Sequence, residues 1–121
     1  MGAGISAKAY IESGFNTTVV ELDPAVYRMA RDHFALPLPA AVYTEDARGW
    51  VAKRAKAAEA DVNKEAYQYD VIVHDVFTAG GVPSKLYTLE FWVTLQKILN
   101  ENGVVIIVRL SFIPLCDLSD D

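Results

Sequence analysis

The sequence has one cysteine, no excess of basic residues and no long hydrophobic run. Cys116 has no second cysteine to pair with, so no internal disulfide can form and a reducing compartment fits best. Eleven lysines and arginines against 16 acidic residues give a net charge of −5, which argues against a nucleic-acid surface. The longest apolar run, residues 104–108, is too short to cross a bilayer. We therefore expect a cytoplasmic domain without nucleic-acid or membrane contacts, and we find no signal peptide pattern.

Hydrophobic residues are abundant despite these absences. They make up 52% of the 121 residues, and aromatic residues make up 11%. That content suffices for a single domain with a real core and argues against disorder. We place the domain at residues 1–110. Residues 111–121 show no periodicity and are predicted to form an irregular tail.

Strand-like and helix-like segments alternate along the chain. Asp23 followed by Pro24 is typical of a helix N-terminus, and Gly103 of a helix end. The predicted strands are residues 17–22, 41–45, 69–77 and 104–110. A first helix is predicted after the glycine turn, and three more start at residues 24, 46 and 88. We expect the alanine- and charge-rich helix that starts at residue 46 to be largely solvated. The alternation predicts an α/β fold with a mostly parallel sheet.

Residues suited to ligand binding follow the predicted strands, where open α/β sheets hold their ligands. Gly2 and Gly4 would allow a close approach of the backbone to a ligand. Glu21 lies 17 residues beyond Gly4, close to the spacing at which an acid binds both hydroxyls of a ribose. Asp46 could accept hydrogen bonds from an adenine amino group, and Asp75 ends the strand nearest to the reacting atoms.

Each candidate also has a purely structural interpretation. The glycines can form a simple turn. Asp23 fits a helix cap better than a ligand, and Asp46 could equally cap its own helix. Asp75 could only cap a loop, while His74 is expected to face the other side of the sheet. Trp50 fits the core better than a substrate platform. The functional interpretation is favoured by the combination of these residues: each of the strand ends, taken in chain order, carries a residue type suited to ligand binding.

Five segments carry a family resemblance through their order: GAGIS, TTVVELDPAVYRMARDHFALP, YTEDARGWV, YDVIVHDVFTAG and LEFWVTLQKILNENGVVIIV. Together they resemble the spermidine/spermine synthase family of the S-adenosylmethionine-dependent methyltransferase-like fold, especially its fungal spermidine-synthase-like members. The likeness covers residues 2–108. It implies a Rossmann-like sheet with helices on both faces. It also implies S-adenosylmethionine or its decarboxylated form as cofactor, with S-adenosylhomocysteine or methylthioadenosine as product.

The resemblance implies a cofactor role for residues at three strand ends. The glycine turn of the family contacts the methionine part of the cofactor, which points to Gly2 and Gly4. The acid after the second strand binds the ribose, and this acid is Glu21. The acid after the third strand contacts the adenine, which points to Asp46 together with its neighbour Ala47.

The resemblance further implies that Asp75 helps to deprotonate an attacking amine. A carboxylate in a partly closed site attracts a protonated amine and can take its proton. Two departures weaken the case for polyamine biosynthesis. The family's glycine turn contains an aspartate, whereas the turn of this chain, residues 2–6, reads GAGIS; the family's D-S-S-D pattern places an acid where this chain has Thr78. We favour a transferase that moves a methyl or aminopropyl group to an amine-type acceptor. A non-catalytic remnant that acts through association is the alternative.

The resemblance also implies that two parts of the family's fold are absent. The chain would start inside the cofactor loop, without the first strand, and would lack the strands that follow Leu110. The absent first strand would lie between the strands that end at Glu21 and Asp75. Its absence would expose two apolar edges, so we expect the neighbours to close up, another chain to fill the gap, or the domain to be unstable. A homo-oligomer formed through these edges is one possibility.

Overall fold

The computed structural model describes residues 1–76, 81 and 83–108 of the chain. Its helices and strands, in chain order, are α1 (Ile5–Glu12), β1 (Thr18–Val20), α2 (Pro24–Phe34), β2 (Ala41–Tyr43), α3 (Ala47–Ala60), β3 (Tyr69–His74), α4 (Leu89–Gln96) and β4 (Leu99–Ile107). Short 3-10 helices span Lys64–Tyr67 and Ser84–Leu86. No helix within these ranges is both long and apolar enough to cross a membrane. The predicted tail, Cys116 and Thr78 lie outside the described residues.

The strands form two separate parallel pairs. In the first, β1 pairs with β2, and Thr18 lies opposite Ala41. In the second, β3 pairs with β4, and His74 lies opposite Ile107. The prediction of an α/β fold with parallel strands is confirmed. The first strand is shorter than predicted and covers three residues instead of six.

The two pairs lie beside each other, with the starts of β1 and β3 facing one another. The hydroxyl oxygen of Tyr69 is 3.5 Å from that of Thr18. The lateral order is therefore β2, β1, β3, β4, with an opening between the inner two strands. The connections from β1 to β2 and from β3 to β4 lead away from this opening in opposite directions. Since such connections are right-handed, α2 and α4 cover opposite faces.

The core lies where α3 and α4 pack against the strands. Its buried residues are Trp50, Val51, Ala55, Leu86, Phe91, Leu95 and Ile98. Ten of the 14 residues of α3 are exposed or partly exposed, in line with the prediction of a largely solvated helix, but the other four are buried. Trp50, Val51, Ala55 and Ala58 recur every three to four positions and form one stripe. The small alanines let α3 approach its neighbours closely. The charged composition of the helix gave no sign of this packing. The core position of Trp50 is confirmed.

The start of α2 agrees with the sequence pattern. The side chain of Asp23 accepts a hydrogen bond of 2.8 Å from the backbone N–H of Ala25, and Pro24 occupies the first helical position. The cap supplies a partner for a backbone donor that the helix itself cannot satisfy. The structural interpretation of Asp23 as a helix cap is thus confirmed.

The end of α4 differs from the sequence pattern. A helix up to Gly103 was predicted, but α4 ends at Gln96 and β4 begins at Leu99. Asparagine and glycine are poor helix formers, and the amide of Asn100 instead donates a hydrogen bond to the carboxylate of Asp70 on β3. A Cβ at Gly103 would lie only 2.8 Å from the side chain of Leu99. Gly103 therefore permits a close approach within β4 and does not end a helix.

Candidate functional site

Three acids lie at the carboxyl ends of three parallel strands. Glu21 directly follows β1, Asp46 lies three residues beyond β2, and Asp75 directly follows β3. Parallel strands that are paired end at the same edge of a sheet, and this edge is where α/β folds bind ligands. The structure thus places the three predicted acids at strand ends, as the sequence pattern indicated.

The glycine turn lies at the same edge, next to Glu21. The terminal ammonium of Met1 is 3.0 Å from Glu21 Oε2, and the Gly4 N–H donates to the Met1 carbonyl. Both Gly2 and Gly4 have positive φ angles, of 54° and 75°. Residues other than glycine adopt such backbone angles only at a cost in conformational energy. A Cβ at Gly2 would meet no atom within 4 Å, so the backbone there is open to a ligand.

Gly4 has a different role in the turn. It is buried, and a Cβ at this position would lie 3.2 Å from the side chain of Leu36 and 3.6 Å from Ala30. Glycine is favoured here by the positive φ and by the close packing of the start of α1 against α2 and Leu36. Of the two glycines, only Gly2 has space for a ligand beside its backbone.

Glu21 is held in place from two sides. Its Oε1 accepts a hydrogen bond from the backbone N–H of Asp23, at 3.1 Å, and its Oε2 pairs with the Met1 ammonium. Its side chain is 12% exposed. Each carboxylate oxygen has two lone-pair sites, so Glu21 keeps the capacity to accept hydrogen bonds from ligand hydroxyls. Sequence patterns carried no signal for the contact with Met1.

Asp46 caps α3, as its structural interpretation predicted. Its Oδ2 accepts a hydrogen bond of 3.0 Å from the backbone N–H of Gly49. The residue is exposed, and the adjacent Ala47 packs partly against the core. Capping uses one of the two carboxylate oxygens, so it leaves acceptor capacity for a ligand amino group.

Asp75 and His74 are neighbours at the end of β3 and differ in burial. Asp75 is half-buried and lines the opening between β1 and β3. His74 is 5% exposed, and its ring contacts those of Tyr87, Phe91 and Trp92. His74 also contributes to the lining of the opening, so its expected orientation away from the site stays a prediction.

The surroundings of His74 determine which ring nitrogen carries a proton and in which direction the pKa shifts. Its Nε2 lies 3.1 Å from the Leu86 carbonyl, which can only accept, so Nε2 carries the proton. Burial lowers the pKa of His74 below its usual 6.5, although the hydrogen bond to Leu86 opposes this shift. The imidazole is therefore neutral near pH 7. Its Nδ1 is buried without a hydrogen-bond partner among the described residues.

The hydrogen-bond acceptors of the three strand ends suit an adenosyl cofactor. Three carboxylates can accept hydrogen bonds from ribose hydroxyls and an adenine amino group, and can attract a cation. The open backbone at Gly2 allows a ligand to approach the turn. In the part of the chain that the structure describes, no three His, Cys, Asp or Glu side chains cluster as metal ligands would. The carboxylates have the acceptor chemistry that S-adenosylmethionine requires; of the predicted site residues, Ala47 and Asp75 line the cleft between β1 and β3.

Residues 13–114 match the model of the spermine/spermidine synthase domain. The chain belongs to this family. The match covers most of the chain and confirms the family that the five sequence segments indicated.

Two curated relatives of this chain are named for different activities. The chain is 40% identical over 107 residues to an N-terminal histidine N-methyltransferase of Emericella nidulans, a match that covers 88% of this chain and 18% of the relative. It is 31% identical over 110 residues to a probable polyamine aminopropyl transferase of Bifidobacterium longum, covering 88% and 22%. The chain thus spans about a fifth of the length of these relatives.

A solved structure shares the fold. Human methyltransferase-like protein 13, crystallised in complex with SAH, matches with a TM-score of 0.63 at 24% sequence identity. The match covers 86% of this chain and 49% of that chain. The chain therefore shares the α/β fold of this methyltransferase-like protein, as the family resemblance implied.

Proposed function

We propose that this domain binds S-adenosylmethionine at the carboxyl edge of its strands and belongs to a methyltransferase. The observation that supports the proposal most is the placement of Glu21, Asp46 and Asp75 after three parallel strands. In this assignment, Glu21 accepts hydrogen bonds from the ribose hydroxyls. Asp46 and Ala47 contact the adenine, and Gly2 offers its backbone to the methionine part.

The choice of a methyl group over an aminopropyl group rests on two observations. The relative with 40% identity is named as an N-methyltransferase, and position 78 holds threonine in place of the acid of the D-S-S-D pattern. S-adenosylmethionine supplies an electrophilic carbon on its sulfonium when it is bound. Much of the remaining catalysis comes from holding the acceptor in line with that carbon.

Asp75 is the catalytic residue in this proposal. An amine acceptor is protonated near neutral pH and has no free lone pair until it loses a proton. The Asp75 carboxylate attracts the ammonium form and accepts its proton. Its half-buried position at the end of β3 strengthens this attraction, because screening by water is reduced there.

A ligand panel with matched variants tests the proposal. The melting temperature of the folded chain is measured with S-adenosylmethionine, its decarboxylated form and methylthioadenosine. We expect the largest increase with S-adenosylmethionine. Glu21→Gln should weaken binding by about 1–3 kcal/mol, the cost of losing a charge-assisted hydrogen bond. The control Glu12→Gln, which changes an exposed carboxylate on α1, should bind normally. Equal affinity in the two variants would overturn the ribose assignment.

A non-catalytic role through association is the second candidate function. It is favoured by one observation, the opening between β1 and β3, which separates the strands into two pairs. If the folded chain binds none of the three ligands, this second candidate replaces the first.

A further inference from the structure

His74 is the one buried polar side chain in the part of the chain that the structure describes. It is the last residue of β3 and directly precedes Asp75. The rings of Tyr87, Phe91 and Trp92 pack around its imidazole, at centroid distances of 4.8, 5.7 and 4.8 Å. An apolar ring would fill this space without burying a polar atom. Packing alone therefore does not account for a histidine at this position.

Net stability does not account for the histidine either. Its Nδ1 is buried and has no hydrogen-bond partner among the described residues. A buried acceptor that has lost its water without gaining a partner costs free energy, and this cost offsets the gain from the bond that Nε2 makes. Such a group can still fix a geometry, because its hydrogen bond selects one arrangement of the elements that it joins.

The hydrogen bond of His74 joins the end of β3 to the segment that enters α4. Its Nε2 donates to the Leu86 carbonyl at 3.1 Å, in a buried contact. Leu86 ends the short 3-10 helix Ser84–Leu86. Two residues later, Thr88 caps α4 by accepting a bond of 3.2 Å from the Phe91 N–H. Loss of the imidazole donor would leave a buried carbonyl without its partner and would release the 3-10 helix from β3.

The position of Asp75 depends on how His74 is held. β3 ends at His74, and the Val108 N–H donates to the His74 carbonyl at 3.1 Å. The backbone of His74 is thus held from the side of β4, and its ring is held by Leu86 at the entry of α4. The Cα atom of Asp75 lies only one peptide unit, about 3.8 Å, further along the chain. The place of its carboxylate therefore follows from these two contacts.

We propose that His74 is a positioning residue for Asp75, and that its Nε2 bond to the Leu86 carbonyl holds the Asp75 carboxylate in the site. The inference rests on the proposed function, in which Asp75 takes a proton from the amine acceptor. A base that is held in place needs no reorientation before it acts, and a misplacement of about 1 Å can lower a rate about 100-fold. His74 itself touches neither cofactor nor acceptor in this assignment.

Two variants separate the hydrogen bond from the packing of the ring. His74→Phe keeps an aromatic ring but has no donor, whereas His74→Gln loses the ring and keeps an N–H that can reach Leu86. NMR relaxation of the backbone amides measures the order of Asp75. We expect an order parameter of about 0.85 for the Asp75 N–H in the unmodified chain and in His74→Gln, and a fall toward about 0.6 in His74→Phe. An unchanged value in His74→Phe would overturn the proposal.

Hydrogen exchange reports on the 3-10 helix at the other end of the bond. The N–H groups of Leu86 and Tyr87 donate to the carbonyls of Pro83 and Ser84. Both amides should exchange about tenfold faster in His74→Phe and at the normal rate in His74→Gln. Faster exchange in both variants would mean that the ring and not the hydrogen bond holds the 3-10 helix, which would contradict the proposal.

Trp92→Phe is the matched control. It reduces the ring contact with His74 and leaves the bond from Nε2 in place, so Asp75 should stay ordered. The melting temperature of His74→Phe should lie within about 4 °C of that of the unmodified chain, because the variant loses the unpaired Nδ1 together with the bond to Leu86. An equal loss of order at Asp75 in Trp92→Phe and His74→Phe would assign the effect to packing and overturn the proposal.

Two measurements complete the test. The NMR spectrum of the imidazole nitrogens in the unmodified chain should show the proton on Nε2; a proton on Nδ1 would overturn the proposal, since Nε2 could then not donate to Leu86. Should His74→Phe fail to fold, this spectrum and the order of Asp75 in the unmodified chain decide.

Calorimetric titration with S-adenosylmethionine keeps the two proposals apart. We expect equal affinity in the unmodified chain, His74→Phe and His74→Gln. A loss of affinity in His74→Phe alone would overturn a role confined to Asp75. If the unmodified chain does not bind S-adenosylmethionine, the proposed function is wrong, while the relaxation and exchange data still decide whether His74 holds Asp75 in place.

Discussion

Asp46 is predicted to have two roles that a pair of variants can separate. It caps α3 through the 3.0 Å hydrogen bond to Gly49, and we assign it to the cofactor adenine. Asp46→Ala removes both. The loss of a cap costs about 1 kcal/mol of unfolding free energy, within a range of about 0.5–2 kcal/mol. Asp23→Ala removes an equivalent cap from α2, whose bond to Ala25 is 2.8 Å. Since Asp23 carries no assigned contact with the adenine, it is the matched control.

Urea denaturation and calorimetric titration together distinguish the two roles. We expect both variants to lose about the same unfolding free energy, while only Asp46→Ala loses affinity for S-adenosylmethionine. Asp46→Asn should retain the cap, because asparagine is as good an N-cap residue as aspartate. If Asp46→Ala and Asp23→Ala bind the cofactor equally well, Asp46 is a helix cap only and the adenine assignment is wrong.

Three further predictions concern catalysis, pH and the core. Asp75→Asn should lower turnover while leaving cofactor affinity nearly unchanged; a parallel loss of both in a titration and a methylation assay would indicate a structural role. His74 has its pKa lowered by burial, so the unfolded state binds more protons and unfolding free energy should fall as pH drops below about 6.5. Urea titrations at several pH values should show that His74→Gln lacks this part of the pH dependence. If the unfolding free energy of the variant changes with pH as steeply as that of the unmodified chain, His74 is not its source. Ile98→Ala, at a side chain that is 1% exposed, should cost about 2–5 kcal/mol. The control Leu89→Ala, at 75% exposure, should change stability by about 0.5 kcal/mol or less, and similar losses in the two variants would contradict the core described above.

Local signals in the sequence were sufficient where a few neighbouring residues determine the structure. Asp23 and Pro24 predict the start of α2 because the cap and the fixed φ of proline act within one turn. The alternation of strands and helices predicts the α/β class for the same reason. The acids could be placed at strand ends because the strands themselves were recognised from their apolar runs.

Features that depend on tertiary contacts could not be predicted in this way. The composition of α3 suggested a solvated helix, but its stripe through Trp50 and Ala55 is buried by contacts with α4. The end of α4 was misplaced because Asn100 finds its partner on β3, at Asp70, and not within its own segment. The pairing of Met1 with Glu21 and the aromatic surroundings of His74 likewise join residues that are distant in the chain.

Calorimetric titration of the folded chain with S-adenosylmethionine tests the central claim most directly. The account predicts saturable binding at a single site, with a marked loss of affinity in Glu21→Gln and none in Glu12→Gln. Absence of binding heat at several temperatures, in a chain shown by circular dichroism to be folded, would contradict a cofactor site at the carboxyl edge of these strands.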